Sequence, residues 1–178
     1  HHADDQAETV LLRLVRGAGL RGLAGIKPVA QFRGLTIIRP WLSIARATLL
    51  ACARTHALPY REDSSNASQR FDRNWMRHEI IPRLAARHGD LAARIGASAV
   101  IAHDAEEYLS QRATELLRHF GAQSLLGMLF PLQEYRALHP ALQRAIIRRM
   151  FDELCGEDPP PASFQHVEDL RALACGTQ

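Results

Sequence analysis

Residues 1–26 read HHADDQAETVLLRLVRGAGLRGLAGI, and this stretch holds one amphipathic helix together with the signal that ends it. The apolar residues that recur at helical spacing are Ala7, Val10, Leu11 and Leu14. This period predicts a helix from about Asp4 to Arg16. Gly17 is a natural stop, because glycine readily takes the left-handed conformation that ends many helices.

Three acids, Asp4, Asp5 and Glu8, stand in the first two turns of this helix. Like charges three or four residues apart destabilise a helix by roughly 0.2–0.5 kcal/mol per pair. No basic residue follows them at that spacing, although acids in a first turn do suit the helix dipole. Unless the turn is simply solvated, the acids need a metal, a substrate ammonium or an arginine from another element. His1 and His2 add groups for metal ligation or proton transfer.

A glycine-rich loop follows, with Gly17, Gly19, Gly22 and Gly25. Such loops permit close backbone approach and can present N–H groups to phosphate. The loop is not a Walker A motif, because it has no Gly-Lys-Ser/Thr. A plain turn is the alternative interpretation.

Arg73 and Arg77 are four residues apart in the segment RFDRNWMR, so the pattern puts them on one helix face. Two guanidinium groups so placed repel unless something anionic lies across them. Phosphate is one such partner, and Glu62 or Asp63 within the chain is another. Arg144, Arg148 and Arg149 form a similar basic face, which is either a binding surface or an ordinary solvated one.

Beyond about Asp90 the pattern predicts helices only. The other predicted elements, in chain order, are a short buried strand at 35–39, a helix over 44–56 capped by Ser43, a helix over 73–87 interrupted or bent at Pro82, a long helix over 91–120, a helix that starts at Pro140, and a last helix capped by Ser163.

The composition indicates a folded protein with a basic surface. The 178 residues are 47% hydrophobic, and the net charge is +3 with a pI of about 9.1. Lys27 is the only lysine, and the other 21 basic residues are arginines. Arginine grips phosphate well, so a nucleic-acid partner is plausible, although a GC-rich genome gives the same bias. No apolar run approaches 18 residues, so we expect no membrane segment.

Cysteine usage bears on the compartment. Cys52, Cys155 and Cys175 are an odd number without metal-ligand spacing. We expect free, mostly buried thiols and a cytoplasmic protein.

Three strings, taken in order, resemble the tRNA(Ile)-lysidine synthetase family of the PP-loop ATP pyrophosphatase superfamily. They are residues 1–26, RPWLSIARATLLACA at 39–53, and YREDSSNASQRFDRNWMRHEIIP at 60–82. LHPALQRAIIRR at 138–149 is similar to the domain that follows the catalytic one. The resemblance implies a mostly α chain: residues 1–85 would be the C-terminal part of a Rossmann-like α/β PP-loop domain, and residues 86–178 a small all-α tRNA-binding domain.

The resemblance also implies a reaction and its partners. This family uses ATP to adenylate C2 of the wobble cytidine of tRNA(Ile), and the amine of free L-lysine then attacks C2. ATP with Mg²⁺, lysine and tRNA(Ile) are thus the expected partners, and a homodimer is one option for the assembly. The family's Ser-Gly-Gly-x-Asp-Ser loop is not among these residues, so we expect the 178 residues alone to be inactive.

Residue roles follow from the same resemblance. His1, Asp5 and Arg73 are expected to be catalytic, and Asp4, Asp5 and Glu8 to bind lysine or metal, with Mg²⁺ at Asp5. The expected nucleotide or tRNA contacts are Arg16, Gly17, Gly19, Gly22, Asn74, Arg77, Arg144 and Arg148. Two rival interpretations are another PP-loop tRNA enzyme, such as a thiolase, and a non-catalytic arginine-rich RNA-binding helical module.

Overall fold

The structure is a computed structural model that describes residues 1–60, 71–124, 127–155 and 163–176. The described residues are mostly helical, as the sequence predicts. They belong to two units, His1–His103 and Asp104–Gln178. The division at 85/86 expected from the sequence would fall inside the helix Ile81–His88.

The first unit contains short helices and one hairpin. Its elements are α1 (Ala3–Val15), α2 (Leu20–Leu23), β1 (Val29–Phe32), β2 (Leu35–Ile38), α3 (Arg46–Thr55), α4 (Phe71–Trp75), a π-helical turn (Met76–Ile80), α5 (Ile81–His88) and the first part of α6 (Leu91–Phe120).

Helix α1 begins and ends close to the predicted residues. His2 precedes it in extended conformation and caps its first turn together with Asp5. At the other end, Gly17 has a φ of 75°, which is the left-handed stop expected of it. Ala7 and Val10 of this helix are buried. The π-helical turn packs against the helix, and its Met76 side chain is only 2% exposed.

The predicted strand near residue 35 exists, but the prediction that it is buried is wrong. β1 and β2 form an antiparallel hairpin in which Phe32 pairs with Leu35. Arg33 and Gly34 make the tight turn with φ values of 50° and 76°. Leu35 and Ile38 are each 68% exposed. A run of β-branched residues fixes the strand conformation, but it does not specify which layer covers the strand.

The predicted helix over 44–56 also differs at its start. α3 begins at Arg46, and Ser43 is not its cap. Asp4 of α1 instead accepts a hydrogen bond from the Arg46 backbone N–H at 2.8 Å. The interruption predicted near Pro82 is confirmed: α4 gives way to the π-helical turn, and Pro82 lies in the first turn of α5.

The second unit packs its helices around one apolar core. Besides the remainder of α6, its elements are β3 (Ala122–Ser124), β4 (Gly127–Leu129), α7 (Leu132–Ala137), α8 (Pro140–Cys155) and α9 (Phe164–Cys175). The buried core residues are Ala113, Leu117, Tyr135, Ile146, Ile147 and Val167. The predicted starts of α8 and α9 are confirmed, and the Ser163 side chain accepts from the His166 N–H.

Two expectations for the later chain are wrong. The region beyond Asp90 is not helical only, because β3 and β4 pair as a second antiparallel hairpin. Three-residue strands are too short to show the alternation that reveals a strand in sequence. The thiols are also less buried than expected, since Cys52 and Cys155 are exposed and Cys175 is half-buried.

In the described ranges, no helix combines the length and hydropathy needed to cross a bilayer.

Candidate active site

The acids at the start of α1 differ sharply in exposure. Glu8 is buried, with 1% of its surface exposed, whereas the Asp4 side chain is 42% exposed and the Asp5 side chain 14% exposed. A buried carboxylate is costly unless cations or N–H donors surround it. The role of this turn must therefore be inferred from the groups that bond to Glu8.

Two arginines from the segment 71–80 supply those partners. Arg73 Nε donates to Glu8 Oε2 at 2.9 Å, and Arg77 Nε donates to Glu8 Oε1 at 2.5 Å. Arg77 Nη2 makes a further bond of 3.1 Å to Glu8 Oε2. Both oxygens of Glu8 are thus saturated by charge-assisted hydrogen bonds.

Asp5 completes the arrangement. Its Oδ1 accepts from Arg73 Nη2 at 3.4 Å and from Arg77 Nη2 at 3.3 Å. Its Oδ2 accepts from the His2 backbone N–H at 3.0 Å. Asp5, Glu8, Arg73 and Arg77 are called the ion-pair cluster below. Of the three cations that the sequence left open for these acids, the structure supplies arginines from another element.

The electrostatics of the cluster agree with its geometry. The pKa of Arg77 is raised above its usual value, mainly by the hydrogen bond with Glu8. Burial alone would lower this pKa, but its effect is smaller. Arg73 lies in α4 and Arg77 in the π-helical turn, and both reach the same two carboxylates, as their four-residue spacing predicts. Asn74 lies beside Arg73 in α4, whereas Glu62 and Asp63 lie outside the described residues.

His1 has a partner that sequence reasoning missed. Arg39 Nε donates to His1 Nδ1 at 3.3 Å. Arg39 is itself anchored, because its Nη1 donates to the Lys27 carbonyl at 2.9 Å. Arg39 opens the second of the three matching strings, but no spacing rule connects it to His1, so only its place in that string singles it out.

The arrangement does not fit Mg²⁺ at Asp5. Both Asp5 oxygens already accept hydrogen bonds from the arginines or from His2. Across residues 1–60, 71–124, 127–155 and 163–176, no three His, Cys, Asp or Glu side chains come together to hold a metal. Mg²⁺ prefers several oxygen ligands at short range, and a carboxylate engaged by two guanidinium groups is a poor one.

Comparison with known proteins finds matches at both ends of the chain. Residues 1–84 match the PP-loop domain model, and residues 130–178 match the model of the TilS substrate binding domain. The tRNA(Ile)-lysidine synthase of Alkalilimnicola ehrlichii is 41% identical over 162 residues, and that of Ralstonia nicotianae 39% over 184. The chain belongs to the tRNA(Ile)-lysidine synthase family.

The chain is shorter than these family members. The matches cover 90% and 100% of this chain but only 35% and 37% of the two relatives. The bifunctional TilS/HprT protein of Listeria innocua is 33% identical over 170 residues, which is 96% of this chain and 26% of that protein. The chain thus spans about a third, or less, of the length of these tRNA(Ile)-lysidine synthase relatives.

The glycine loop of this family member is held from α1. Gln6 Oε1 accepts from the Ile26 N–H at 2.7 Å, and Arg13 Nη1 donates to the Gly25 carbonyl at 2.7 Å. The N–H groups of Gly17, Gly22 and Gly25 already donate to carbonyls of the same region. Gly19 accepts at its carbonyl from the N–H of Gly22. Phosphate contact by Gly17, Gly19 and Gly22 remains a prediction.

The other basic residues predicted to bind nucleotide or tRNA are Arg16 in the first unit and Arg144 and Arg148 in the second. Arg16 Nη2 pairs with Asp72 at 2.9 Å on the surface. In the second unit, Arg144 and Arg148 lie on α8, and Arg144 Nε donates to Glu168 Oε1 at 2.5 Å. The Arg144 hydrogen bond lowers the pKa of Glu168 to about 2. Arg144 thus has a structural partner, and its contact with tRNA stays a prediction, as does that of Arg148.

Proposed function

We propose that this chain forms part of the active site of an ATP-dependent ligase that converts the wobble cytidine of tRNA(Ile) to lysidine. The observation that carries the proposal is the ion-pair cluster, because it joins the first and third strings shared with the family around a buried Glu8. Residues 1–85 would complete the PP-loop catalytic domain, and residues 86–178 would bind tRNA. The proposed setting is the cytoplasm, with monomer and homodimer both compatible with the proposal.

In this proposal Arg73 and Arg77 bind the negative charge of the ATP phosphates or of the adenylated base. Their side chains are each 33% exposed although both are ion-paired. A guanidinium group has five N–H donors, and Nε and Nη2 of each arginine face the carboxylates. The remaining donors can meet an anion, and preorganised positive charge is the main device in such reactions.

The three acids take different roles. Glu8 is too buried and too fully bonded to receive a substrate ammonium, so it is a positioning residue for the two arginines. Asp5 and the more exposed Asp4 are the candidates for holding the ammonium group of lysine. An ammonium bound at Asp5 would compete with the Nη2 groups of the arginines, and it would free them for phosphate.

The chemistry that these residues serve has two steps. The C2 oxygen of cytidine bonds to the α-phosphorus of ATP and pyrophosphate leaves; the lysine amine then bonds to C2, loses a proton and expels AMP. His1 is the residue we assign to the adenylated base. Its Nδ1 accepts from Arg39, which leaves Nε2 to carry the proton of the neutral ring.

The test is lysine incorporation by the full-length enzyme that contains these residues. Radiolabelled lysine should enter a tRNA(Ile) transcript with wobble cytidine in an ATP-dependent reaction, and a transcript with wobble uridine serves as the control. Equal labelling of both transcripts, or no labelling with a folded enzyme, would rule out the proposed ligase. Incorporation of sulfur instead of lysine would favour the thiolase.

A further inference from the structure

A cleft in the second unit lies outside the ion-pair cluster and has no assigned role. It lies among the end of α6, the β3–β4 hairpin and α8, and its volume is about 290 Å³. Its polar lining consists of Thr114, Arg118, Gln123, Arg149 and Glu153. Small-molecule pockets start at roughly 300 Å³, so this cleft has room for a phosphate and its sugar but not for a base pair.

The ionisable groups of the cleft carry a net formal charge of +1. Arg149 Nε donates to Glu153 Oε1 at 3.0 Å, and that pair is neutral. Arg118 is exposed at the last turn of α6 and makes no ion pair with any residue that the structure describes. It is therefore the charge that a ligand would meet.

The helix end limits the kind of anion that fits. The carbonyl end of α6 lies at the cleft and carries roughly half a negative charge, which offsets part of the Arg118 charge. A singly charged, delocalised phosphodiester suits such a weakly positive site better than a doubly charged phosphate monoester. Guanidinium groups match the geometry of phosphate oxygens.

We propose that this cleft binds one backbone phosphodiester of the tRNA, with Arg118 as the main contact and Arg149 beside it. The proposal rests on the proposed function for the presence of tRNA. Arg149 and Glu153 also fall within the residues that match the TilS substrate binding domain model. Glu153 keeps Arg149 oriented and lowers the total charge, so the cleft anchors backbone without binding free anions tightly.

The experiment measures tRNA binding by the full-length protein over a range of salt concentrations. Arg118→Gln should weaken binding several-fold and lower the slope of log K against log salt by about one, which is the loss of one phosphate contact. Glu153→Gln should strengthen binding, and this gain cannot come from misfolding. Arg112→Gln is the matched control, since Arg112 lies on the same helix, outside the cleft, and pairs with Glu115.

The outcomes separate the cleft from the proposed function. If the parent protein binds tRNA and incorporates lysine while Arg118→Gln and Glu153→Gln behave like Arg112→Gln, the cleft proposal is wrong and the ligase stands. If the parent protein does not bind tRNA, both fail. Inorganic phosphate and AMP are the competing probes, and displacement of tRNA by either at low concentration would show a small-anion site instead.

Discussion

Arg77 Nε lies 2.5 Å from Glu8 Oε1, and this bond joins residues 69 positions apart in the chain. It ties the π-helical turn to the first helix, with Glu8 buried and Arg77 partly exposed. Because Glu8 receives two guanidinium groups, it can stay charged without contact with water. The stability of the first unit and the placement of its arginines therefore depend on the same carboxylate.

Replacing that carboxylate should cost stability. Glu8→Gln halves the negative charge that faces Arg73 and Arg77, because only the Asp5 carboxylate remains. We expect a loss of about 2–3 kcal/mol in the free energy of unfolding. Glu79→Gln breaks an exposed pair with Arg83 and should change stability by less than about 1 kcal/mol. Urea unfolding of the full-length variants measures both. Equal effects would contradict the structural role of Glu8.

Arg73→Lys should reduce catalysis more than binding. Lysine keeps the charge but cannot span Asp5 and Glu8 with two groups, so we expect lysine incorporation to fall on the order of 10²-fold. The affinity for tRNA should change little. Arg83→Lys, at a surface pair, is the control.

Asp5→Asn separates the ligase from a plain RNA-binding module. The ligase interpretation predicts loss of lysine incorporation with tRNA affinity largely kept. An RNA-binding module predicts no effect, or tighter binding because a negative charge is gone. Filter binding and incorporation assays on the same preparation give the answer.

The Arg144–Glu168 pair should make the second unit sensitive to acid. The pKa of Glu168 falls from its usual 4.5 to about 2, first because of the hydrogen bond from Arg144. A lowered folded-state pKa gives stability that is present above pH 4.5 and is lost as the pH falls toward 2. Glu168→Gln should be less stable near neutral pH, by about 1 kcal/mol, and should lose less stability in this range. Parallel acid-induced loss in both proteins would contradict the pairing.

Two glycines give opposite predictions. A Cβ at Gly25 would lie 2.6 Å from Gln6 Oε1, and the residue has a φ of 67°. Gly25→Ala should therefore cost more than about 1 kcal/mol and disturb the glycine loop. Gly96 lies within α6 with nothing within 4 Å of an added Cβ, so Gly96→Ala should stabilise by about 0.5–1 kcal/mol. Thermal melts of the two variants should move in opposite directions.

Local signals carried the sequence predictions that succeeded. The predictions of the long helix over 91–120, the stop at Gly17, the helix start at Pro140 and the cap at Ser163 each depend on residues a few positions apart. The spacing of Arg73 and Arg77 likewise put both on one face. The identity of their partner could not be read from spacing, because Glu8 lies 65 and 69 residues away from them.

The sequence predictions that failed depended on contacts between residues that are distant in the chain. Ser43 is a good capping residue by type, but Asp4 from another helix reached the start of α3 instead. The exposure of Leu35 and Ile38 depends on what packs over the hairpin, which the strand itself does not encode. The pairing of His1 with Arg39 is a contact of the same non-local kind.

The separation between Glu8 and Arg77 in the sequence also delays the formation of their ion pair during synthesis. Ribosomes add roughly 5–20 residues per second, so Glu8 waits about 3–14 s for Arg77 to be made. Through that interval α1 presents an unpaired carboxylate on the side that will later be interior. The first helix can therefore bury this carboxylate as an ion pair with Arg77 only after the segment that carries Arg77 has been made.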